Sequence, residues 1–302
     1  MILLDGKKVR DCLVETLRRK VGAFSTIPRL AIVQVGDKKE SSAYIRQKKV
    51  FGERIGVAVR HIPFPLSVSE LEIIKEIERL NENRDIHGII LQLPLPASLD
   101  KQKLLDSIAP IKDVDGLGGE NAGLLARGTP YLWPATARGI LELLTFYAVT
   151  VDGKKVAVVG RSSLVGQPTA ELLRAKGASV TVCHSETSNT KDITRTSDII
   201  VVAIGKPEFI TADYFRQDNT QTVVDVGITA VSKEGLLRLE EEIAYRPSGG
   251  TRSTTLLGDV AFEEVKERIY AISPVPGGVG PMTVSALFEN LVEAYERQVR
   301  HT

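Results

Sequence analysis

One lysine lies on the apolar face of a predicted helix, where a charged side chain is unexpected. Residues 41–55 predict a helix, because Ser41 or Ser42 can cap its start and Gly56 can end it. Four side chains at helical spacing share one face: Tyr44, Lys48, Phe51 and Ile55. Removal from water would lower the pKa of Lys48, which suits a lysine to proton transfer. The alternative is a structural lysine whose stem packs on the apolar face while its ammonium reaches water.

A glycine-containing turn after an apolar strand predicts a phosphate site. Residues 156–159 form the strand, Gly160 ends it, and Gly166 opens the following helix. In this arrangement backbone N–H groups and the helix dipole can bind a pyrophosphate. Arg161 and Ser162 occupy the middle of the turn, so the spacing departs from the common G-x-G-x-x-G pattern. The alternative is a tight strand-to-helix turn with no ligand.

The end of the next strand predicts which nicotinamide cofactor such a turn would bind. An NAD site usually places Asp or Glu there, to bind the ribose hydroxyls. Ser185 stands there instead, and Arg161 supplies a cation for a ribose 2′-phosphate. NADP is therefore favoured over NAD, although Glu186, one residue further on, weakens the argument.

Polar groups also lie in two segments where a ligand could be recognised. Gln92 is the one polar side chain of the apolar segment 88–93, near the end at which α/β proteins bind ligands. The alternative is a buried amide that bonds to a nearby loop. Asp113 and Asp115 flank Val114 in a loop, a pattern that alone indicates a turn or a weak cation site.

Residues 273–283 contain three prolines and three glycines, which fix an unusual backbone. Such a backbone lets a ligand approach closely. A structural crossover between domains would use the same residues, so both interpretations stay open.

Strands and helices alternate along the chain, which indicates an α/β fold. The predicted strands are residues 30–35, 57–61, 88–93, 156–159, 180–183, 199–204 and 222–226. Helical spacing appears between most of them, as at 69–81 and 169–176. Several strands are apolar throughout, as in a parallel sheet covered on both faces. A helical stretch at 139–147 lies near the predicted domain boundary, and a final helix is predicted at 283–300.

The composition excludes several kinds of partner. The 302 residues, enough for two domains, carry 39 Lys and Arg against 38 Asp and Glu, so no nucleic-acid surface is expected. Two cysteines and four scattered histidines predict neither a metal site nor a disulfide framework, and favour a reducing cytoplasm. No apolar run is long enough to span a membrane, and residues 1–8 do not resemble a targeting signal.

Together, these segments resemble the methylenetetrahydrofolate dehydrogenase/cyclohydrolase family over nearly the whole chain. The matching motifs, in order, are Val35-Gly36-Asp37, Tyr44 with Lys48, residues 92–96, Asp113-Val114-Asp115-Gly116, Gly160-Arg161-Ser162, Gly205-Lys206-Pro207, Asp225-Val226-Gly227 and residues 274–283. The resemblance implies an N-terminal α/β folate-binding catalytic domain, residues 1–138 plus 281–302, to which the C-terminal helix returns. It also implies a Rossmann-type, doubly wound NADP domain, residues 139–280.

The resemblance further implies a role for each candidate residue. Lys48 would be the catalytic lysine, with Gln92 as its hydrogen-bond partner and Tyr44 flanking the pterin ring. Asp115 would bind the N–H groups of the pterin. The folate pocket would be lined by Pro276, Gly277 and Gly278. The cofactor would be held by Gly160, Arg161, Ser162, Val165, Gly166, Ser185 and Ile228.

The implied activity has two steps in one-carbon metabolism, which supplies purine biosynthesis. NADP-dependent oxidation converts 5,10-methylenetetrahydrofolate to the methenyl form, and hydrolysis then gives 10-formyltetrahydrofolate. A homodimer with tetrahydrofolate derivatives as substrates and no metal is implied. The alternatives are a dehydrogenase with little cyclohydrolase activity and a non-catalytic folate- or nucleotide-binding regulator. Residues 134–137 lack the Pro-Cys-Thr-Pro of many members, and the segment 228–258 looks longer than usual.

Overall fold

The computed structural model describes residues 1–232 and 254–300, which fall into two compact units. The first unit comprises Lys7–Glu142 and the chain from Pro281 onward. The second unit comprises Met1–Gly6 and Leu143–Gly280. The domains predicted from the sequence change over at residues 138 and 280, and place residues 1–6 in the first domain.

Helices and strands alternate through the described residues. The strands are β1 (Ile2–Leu3), β2 (Arg29–Val35), β3 (Ala58–Phe64), β4 (Gly88–Leu91), β5 (Lys155–Val159), β6 (Ser179–Cys183), β7 (Ile199–Val202), β8 (Thr222–Asp225), β9 (Thr229–Ser232), β10 (Thr254–Leu257) and β11 (Ala271–Ile272). The helices are α1 (Gly6–Gly22), α2 (Lys39–Ile55), α3 (Glu70–Glu82), α4 (Lys101–Asp106), α5 (Gly119–Ala126), α6 (Ala135–Phe146), α7 (Gly166–Ala175), α8 (Thr190–Thr196), α9 (Phe262–Val265) and α10 (Val279–Arg300).

The first unit has a three-stranded parallel sheet in the order β3-β2-β4. Successive side chains of a strand face opposite layers, so the buried central strand β2 contributes to two cores. Leu30 and Ile32 pack in a cluster with residues of α1, α2 and α10. Ala31 and Val33 pack in a second cluster with residues of α3 and α4. Covering both faces explains why β2 is apolar at nearly every position.

Helix α10 completes the core of the first unit. Phe288, Leu287 and Leu291 are fully buried in the cluster that also contains Leu30. Gly139 of α6 lies against the backbone of Met282, and a Cβ at Gly139 would come within 2.8 Å of the Met282 carbonyl carbon. The absence of a side chain at Gly139 therefore allows α6 and α10 to pack closely.

An ion cluster joins the same two helices. Arg138 Nε of α6 lies 2.9 Å from Glu142 Oε1 and 3.4 Å from Glu289 Oε2. Arg138 Nη1 lies 3.0 Å from Glu293 Oε2 and donates to Asn290 Oδ1 at 2.8 Å. Burial, a hydrogen bond to Glu289 and the charge of Glu289 raise the pKa of Glu142 to about 9, against the opposing effect of Arg138. Glu142 therefore keeps its proton at neutral pH.

The second unit has a six-stranded sheet in the order β1-β11-β8-β7-β5-β6, with every neighbouring pair parallel. Its core cluster includes Ala157 and Val159 of β5, Ile200 of β7 and Val223 of β8, all buried. Because parallel strands end at one edge, the loops after β5, β6, β7 and β8 lie at the same edge of this sheet. The short strands β9 and β10 form a separate antiparallel pair.

The sequence predicted most elements and misplaced some of their ends. The predicted two-domain α/β fold with parallel strands is confirmed, as is Gly56 at the end of α2, where its φ of 82° is left-handed. The predicted Ser41 or Ser42 cap is wrong: α2 begins at Lys39 with no side-chain cap. Strands β1, β9, β10 and β11 were not predicted. The amphipathic stretch at 236–243 and the Gly249-Gly250 loop lie outside the described residues.

Within residues 1–232 and 254–300, no helix has both the length and the apolar character needed to cross a bilayer.

Candidate active site

The lysine of α2 is buried and hydrogen-bonded to the predicted glutamine. Only 8% of Lys48 is exposed, and its Nζ donates to Gln92 Oε1 at 2.9 Å. Tyr44 lies one helical turn earlier and is half-buried. The contact expected between Lys48 and Gln92 is therefore present, and the ammonium does not reach bulk water.

The backbone after β4 fixes the orientation of Gln92. Its own N–H donates to Val33 O at 2.8 Å, which continues the pairing with β2. Its side-chain Nε2 donates to Leu93 O at 2.7 Å. Because the amide nitrogen is held by that carbonyl, the amide oxygen is directed to Lys48 and accepts its hydrogen bond.

The two aspartates of the 112–116 loop have different structural roles. The buried Asp113 accepts hydrogen bonds from Gly116 N at 3.0 Å, Gly118 N at 2.8 Å and Asn121 Nδ2 at 3.0 Å. Asp113 is thus the turn residue, and it holds the start of α5 against the loop. Asp115 is only partly buried, and its charge interacts with that of Lys48.

The environment shifts the proton affinities of these groups. Burial lowers the pKa of Lys48, and the carboxylate of Asp115 partly opposes that shift. Burial raises the pKa of Asp115, against the effect of Lys48 and with a further contribution from Asp113. Burial also raises the pKa of the Tyr44 hydroxyl. The lysine therefore gives up its proton more readily than an exposed lysine, which suits it to accept and return one during a reaction.

The glycines after β5 are required by close packing. A Cβ at Gly160 would overlap the carbonyl oxygen of Ala203, and one at Gly166 would overlap the carbonyl oxygen of Gly160. Gly160 also has a φ of 127°, which side-chain-bearing residues rarely adopt. Ser162 Oγ accepts from the N–H groups of Val165 and Gly166, each at 3.3 Å. The turn into α7 has the compact backbone that a phosphate site needs.

Arg161 is exposed but has a carboxylate beside it. Arg161 Nη2 lies 3.5 Å from Glu186 Oε2, and His184 Nδ1 lies 3.6 Å from the same oxygen. Ser185, which stands between His184 and Glu186 in the chain, is exposed. Glu186, which already counted against NADP in the sequence, thus lies within reach of the cation that was expected to bind a 2′-phosphate.

Two buried aspartates of the second unit, to which no role was assigned from the sequence, organise the same edge of the sheet. Asp225 at the end of β8 accepts from Asp259 N and Val260 N, each at 3.0 Å, and from Gly227 N at 3.1 Å. Asp259 Oδ2 accepts from Ile204 N at 2.7 Å and Gly205 N at 3.0 Å. The signal in the sequence was a single acidic residue, Asp225, near the end of the largely apolar strand predicted at 222–226.

The remaining predicted residues also lie in the second unit. Val165 stands directly before α7 without a side-chain cap and is partly buried, and Ile228 is exposed after β8. Gly277 has a φ of 117°, and a Cβ at Gly278 would come within 2.7 Å of Pro274 O. Pro276 is exposed. The structure therefore brings Lys48, Gln92 and Asp115 together in the first unit, whereas the folate-pocket role of residues 276–278 stays a prediction.

Known proteins match both units. The family described as tetrahydrofolate dehydrogenase/cyclohydrolase, catalytic domain, matches residues 4–115, and its NAD(P)-binding domain matches residues 134–299. The bifunctional protein FolD of Methanoculleus marisnigri is 40% identical, and the match covers 97% of this chain and 96% of that protein. The mitochondrial C-1-tetrahydrofolate synthase of Schizosaccharomyces pombe is also 40% identical over 97% of this chain, which spans 29% of that relative's length.

A solved structure shows the same fold. The Trypanosoma brucei N5,N10-methylenetetrahydrofolate dehydrogenase-cyclohydrolase, in complex with NADP cofactor and an inhibitor, is 35% identical, with a TM-score of 0.88 over 99% of each chain. The shared fold, the order of the motifs and the sequence identity over nearly the whole chain agree with the family resemblance of the sequence. The chain belongs to the tetrahydrofolate dehydrogenase/cyclohydrolase family.

Proposed function

We propose that the chain oxidises 5,10-methylenetetrahydrofolate to 5,10-methenyltetrahydrofolate with NADP and hydrolyses the product to 10-formyltetrahydrofolate. The observation that carries this proposal is the buried Lys48 ammonium, bonded to Gln92 at 2.9 Å and coupled to the charge of Asp115. A protein that only bound folate or nucleotide would have no need of a lysine removed from water. The names of two relatives support the same assignment: the Trypanosoma brucei protein is called a dehydrogenase-cyclohydrolase, and the Methanoculleus marisnigri protein is called bifunctional.

Asp115 and Tyr44 are the groups that bind the pterin. A carboxylate accepts two N–H donors, which matches the adjacent amino and ring N–H groups of a pterin edge. The half-buried Tyr44 offers an aromatic face one turn from Lys48 on the same side of α2. These contacts orient the one-carbon bridge toward Lys48, which is the positioning that both steps need.

Lys48 moves the protons of the hydrolytic step. Water adds to the methenyl carbon and loses one proton, which gives a neutral carbinolamine. The C–N5 bond then breaks, the hydroxyl proton leaves as the formyl carbonyl forms, and N5 takes up a proton. A lysine with a lowered pKa can accept the proton from oxygen and return it to N5, while Gln92 keeps the ammonium in place.

The second unit holds the cofactor. The residues that fit an NADP dinucleotide are Gly160, Arg161, Ser162, Val165, Gly166, Ser185 and Ile228. The two glycines allow the compact turn before α7, since a Cβ at either would collide with a carbonyl oxygen, and a phosphate would bind at the start of that helix. Arg161 and Ser185 suit a 2′-phosphate once Arg161 turns away from Glu186. NADP supplies the hydride acceptor when it is bound.

An absorbance assay that follows the formation and decay of methenyltetrahydrofolate tests both steps. With NADP we expect methenyltetrahydrofolate to form and then decay faster than it hydrolyses without the protein, and we expect slower formation with NAD. Decay at the uncatalysed rate would leave only a dehydrogenase. A failure to form methenyltetrahydrofolate with either cofactor would contradict the proposal and favour a non-catalytic binding protein.

We also infer a cytoplasmic homodimer. Cys12 and Cys183 are both free thiols, as is usual in a reducing compartment. The family resemblance supports the dimer. Light scattering coupled to size-exclusion chromatography should give twice the 32.9 kDa chain mass, and a mass of one chain would contradict the dimer.

A further inference from the structure

The first unit contains a cavity that the proposed activity does not use. It has a volume of about 190 Å³ and lies against α1, α2 and α10. Its lining includes Arg10, Arg46, Val50, Phe51, Arg54 and Val284. Arg46 is two residues from Lys48, so about 200° of helical rotation separates the two side chains. Arg46 and Val50 therefore project from another side of α2 than Lys48, although Phe51, which shares the Lys48 face, also lines the cavity.

The cavity carries excess positive charge held in a defined arrangement. Asp11 Oδ1 accepts from Arg10 Nη2 and Arg54 Nη1, each at 3.0 Å, so one carboxylate fixes two guanidinium groups. Among the side chains that the structure describes, none forms an ion pair with Arg46. Three arginines against one aspartate leave a net charge of about +2, because arginine stays protonated at any physiological pH.

The charges are separated by an apolar surface. The spacing is four residues between Arg46 and Val50 and again between Val50 and Arg54. Each backbone position is therefore about 6 Å further along the axis of α2 than the one before it. Val50 is 51% exposed between the two cations, and the buried side chains of Phe51 and Val284 lie beside it. Guanidinium groups bind carboxylates in a bidentate manner. This arrangement is complementary to a dicarboxylate. Each cation can bind one carboxylate, and the apolar surface between the cations can contact the hydrocarbon chain.

We propose that this cavity binds a small aliphatic dicarboxylate, with one carboxylate on Arg46, the other on the Arg10–Arg54 pair and the hydrocarbon chain on Val50. About six water molecules would fill the same volume, so the ligand is a short chain of a few carbons. Its binding neutralises the excess charge of the cavity and covers an exposed valine.

Isothermal titration calorimetry of the full chain tests the proposal. Glutarate, butyrate and inorganic phosphate are titrated at constant ionic strength, with saturating NADP present so that the predicted cofactor phosphate site is filled. We expect glutarate to bind at least ten-fold more tightly than butyrate or phosphate. Arg46→Gln should weaken glutarate at least ten-fold, and Val50→Asp should abolish its binding.

Arg18→Gln is the matched control, since Arg18 is an exposed arginine of α1 outside the cavity lining and should leave glutarate binding unchanged. Dehydrogenase activity at the wild-type level shows that each variant is folded. Absence of saturable glutarate binding would overturn the site. Phosphate binding as tight as glutarate would overturn the dicarboxylate assignment, and an equal loss in Arg18→Gln and Arg46→Gln would overturn the location.

Discussion

A substitution of Lys48 can test its assigned role in proton transfer separately from its role in packing. Lys48→Met keeps most of the stem volume but removes the ammonium, so we expect cyclohydrolase activity to fall by about 10²–10⁴-fold, or about 3–5 kcal/mol of transition-state stabilisation. Oxidation needs no proton from this group and should fall less. Methenyltetrahydrofolate should then accumulate during turnover.

Lys49→Met is the matched control, because Lys49 is an exposed neighbour on the same helix whose Nζ lies 3.4 Å from His61 Nδ1. Thermal melting checks that both variants are folded. Hydrolysis at the wild-type rate by a folded Lys48→Met variant would show that the lysine is structural.

The two aspartates of one loop should respond differently to the same substitution. Asp115→Asn places an N–H donor where the pterin needs an acceptor, so the KM for folate should rise about ten-fold or more with little change in melting temperature. Asp113→Asn loses a charged acceptor shared by three N–H groups and should lower the melting temperature. Enzyme assays and thermal melting of both variants measure this contrast. Normal folate affinity in Asp115→Asn would return that residue to a turn role.

Cofactor preference should depend on the competition between Glu186 and a phosphate for Arg161. Charge-assisted hydrogen bonds are worth about 1.5–3 kcal/mol, so Arg161→Ala should raise the KM for NADP about ten-fold or more and barely change that for NAD. Glu186→Gln removes the carboxylate 3.5 Å from Arg161 and should lower the KM for NADP. Steady-state kinetics with both cofactors measure the effect. Equal losses with NAD and NADP in Arg161→Ala would give Arg161 another role.

Glu142 of α6 holds a proton beside Glu289 of α10, so the stability of the packing between these helices depends on pH. The pKa of Glu142 is about 9 in the folded chain and near 4.5 when unfolded, so between these values the folded state holds a proton that the unfolded state has lost. Stability from this group is therefore full below pH 4.5 and is lost as pH rises toward 9. The loss is at most about 1.4 kcal/mol per pH unit.

Glu142→Gln should remove this dependence, because the amide does not titrate. Urea unfolding at pH 6 and pH 8 should show a smaller fall in the free energy of unfolding for Glu142→Gln than for the wild type. Glu78→Gln, an exposed change on α3, should keep the wild-type slope. Equal slopes in the wild type and Glu142→Gln would mean that Glu142 is ionised at neutral pH.

The sequence predicted elements best where one residue type has one local consequence. Gly56 ends α2 because glycine tolerates a left-handed φ, and Gly166 begins α7 as expected. The start of α2 was misplaced because no side chain caps it, and Ser41 is instead buried in the first turn. Strands β1 and β11 have two residues each, which is too short for an alternating pattern to show.

The candidate site was predictable in part for the same reason. Lys48 and Gln92 each stand out as polar residues among apolar neighbours, and they do pair. The loop pattern alone could not distinguish Asp113 from Asp115, because which carboxylate accepts the loop N–H groups depends on the path of the turn; only the family resemblance singled out Asp115. The Arg161–Glu186 ion pair was likewise not predictable, because it depends on the positions of the loops after β5 and β6 in the folded chain.

Across the whole molecule, the two units have separate sheets and separate core clusters, so a ligand of one should protect that one first. We expect NADP to slow amide exchange in the β5–α7 turn and in the loop after β8. Binding at a hundred times Kd stabilises by about 2.7 kcal/mol, enough to be visible in exchange rates. Hydrogen–deuterium exchange with mass spectrometry measures this, with Arg161→Ala as the weakened control. Protection centred on α2 and β4 would contradict the cofactor assignment.

The first unit is discontinuous along the chain: residues 143–280 come between its main segment and the part of α10 from Pro281 onward. During synthesis at about 5–20 residues per second, that interval lasts on the order of ten seconds. For that time the sheet β3-β2-β4 has no Phe288, Leu287 or Leu291 to cover it, and Gly139 faces no partner helix. We therefore expect the nascent chain to expose this apolar surface until α10 leaves the ribosome. A chaperone, or a neighbouring nascent chain, has its best opportunity to bind this protein in that interval.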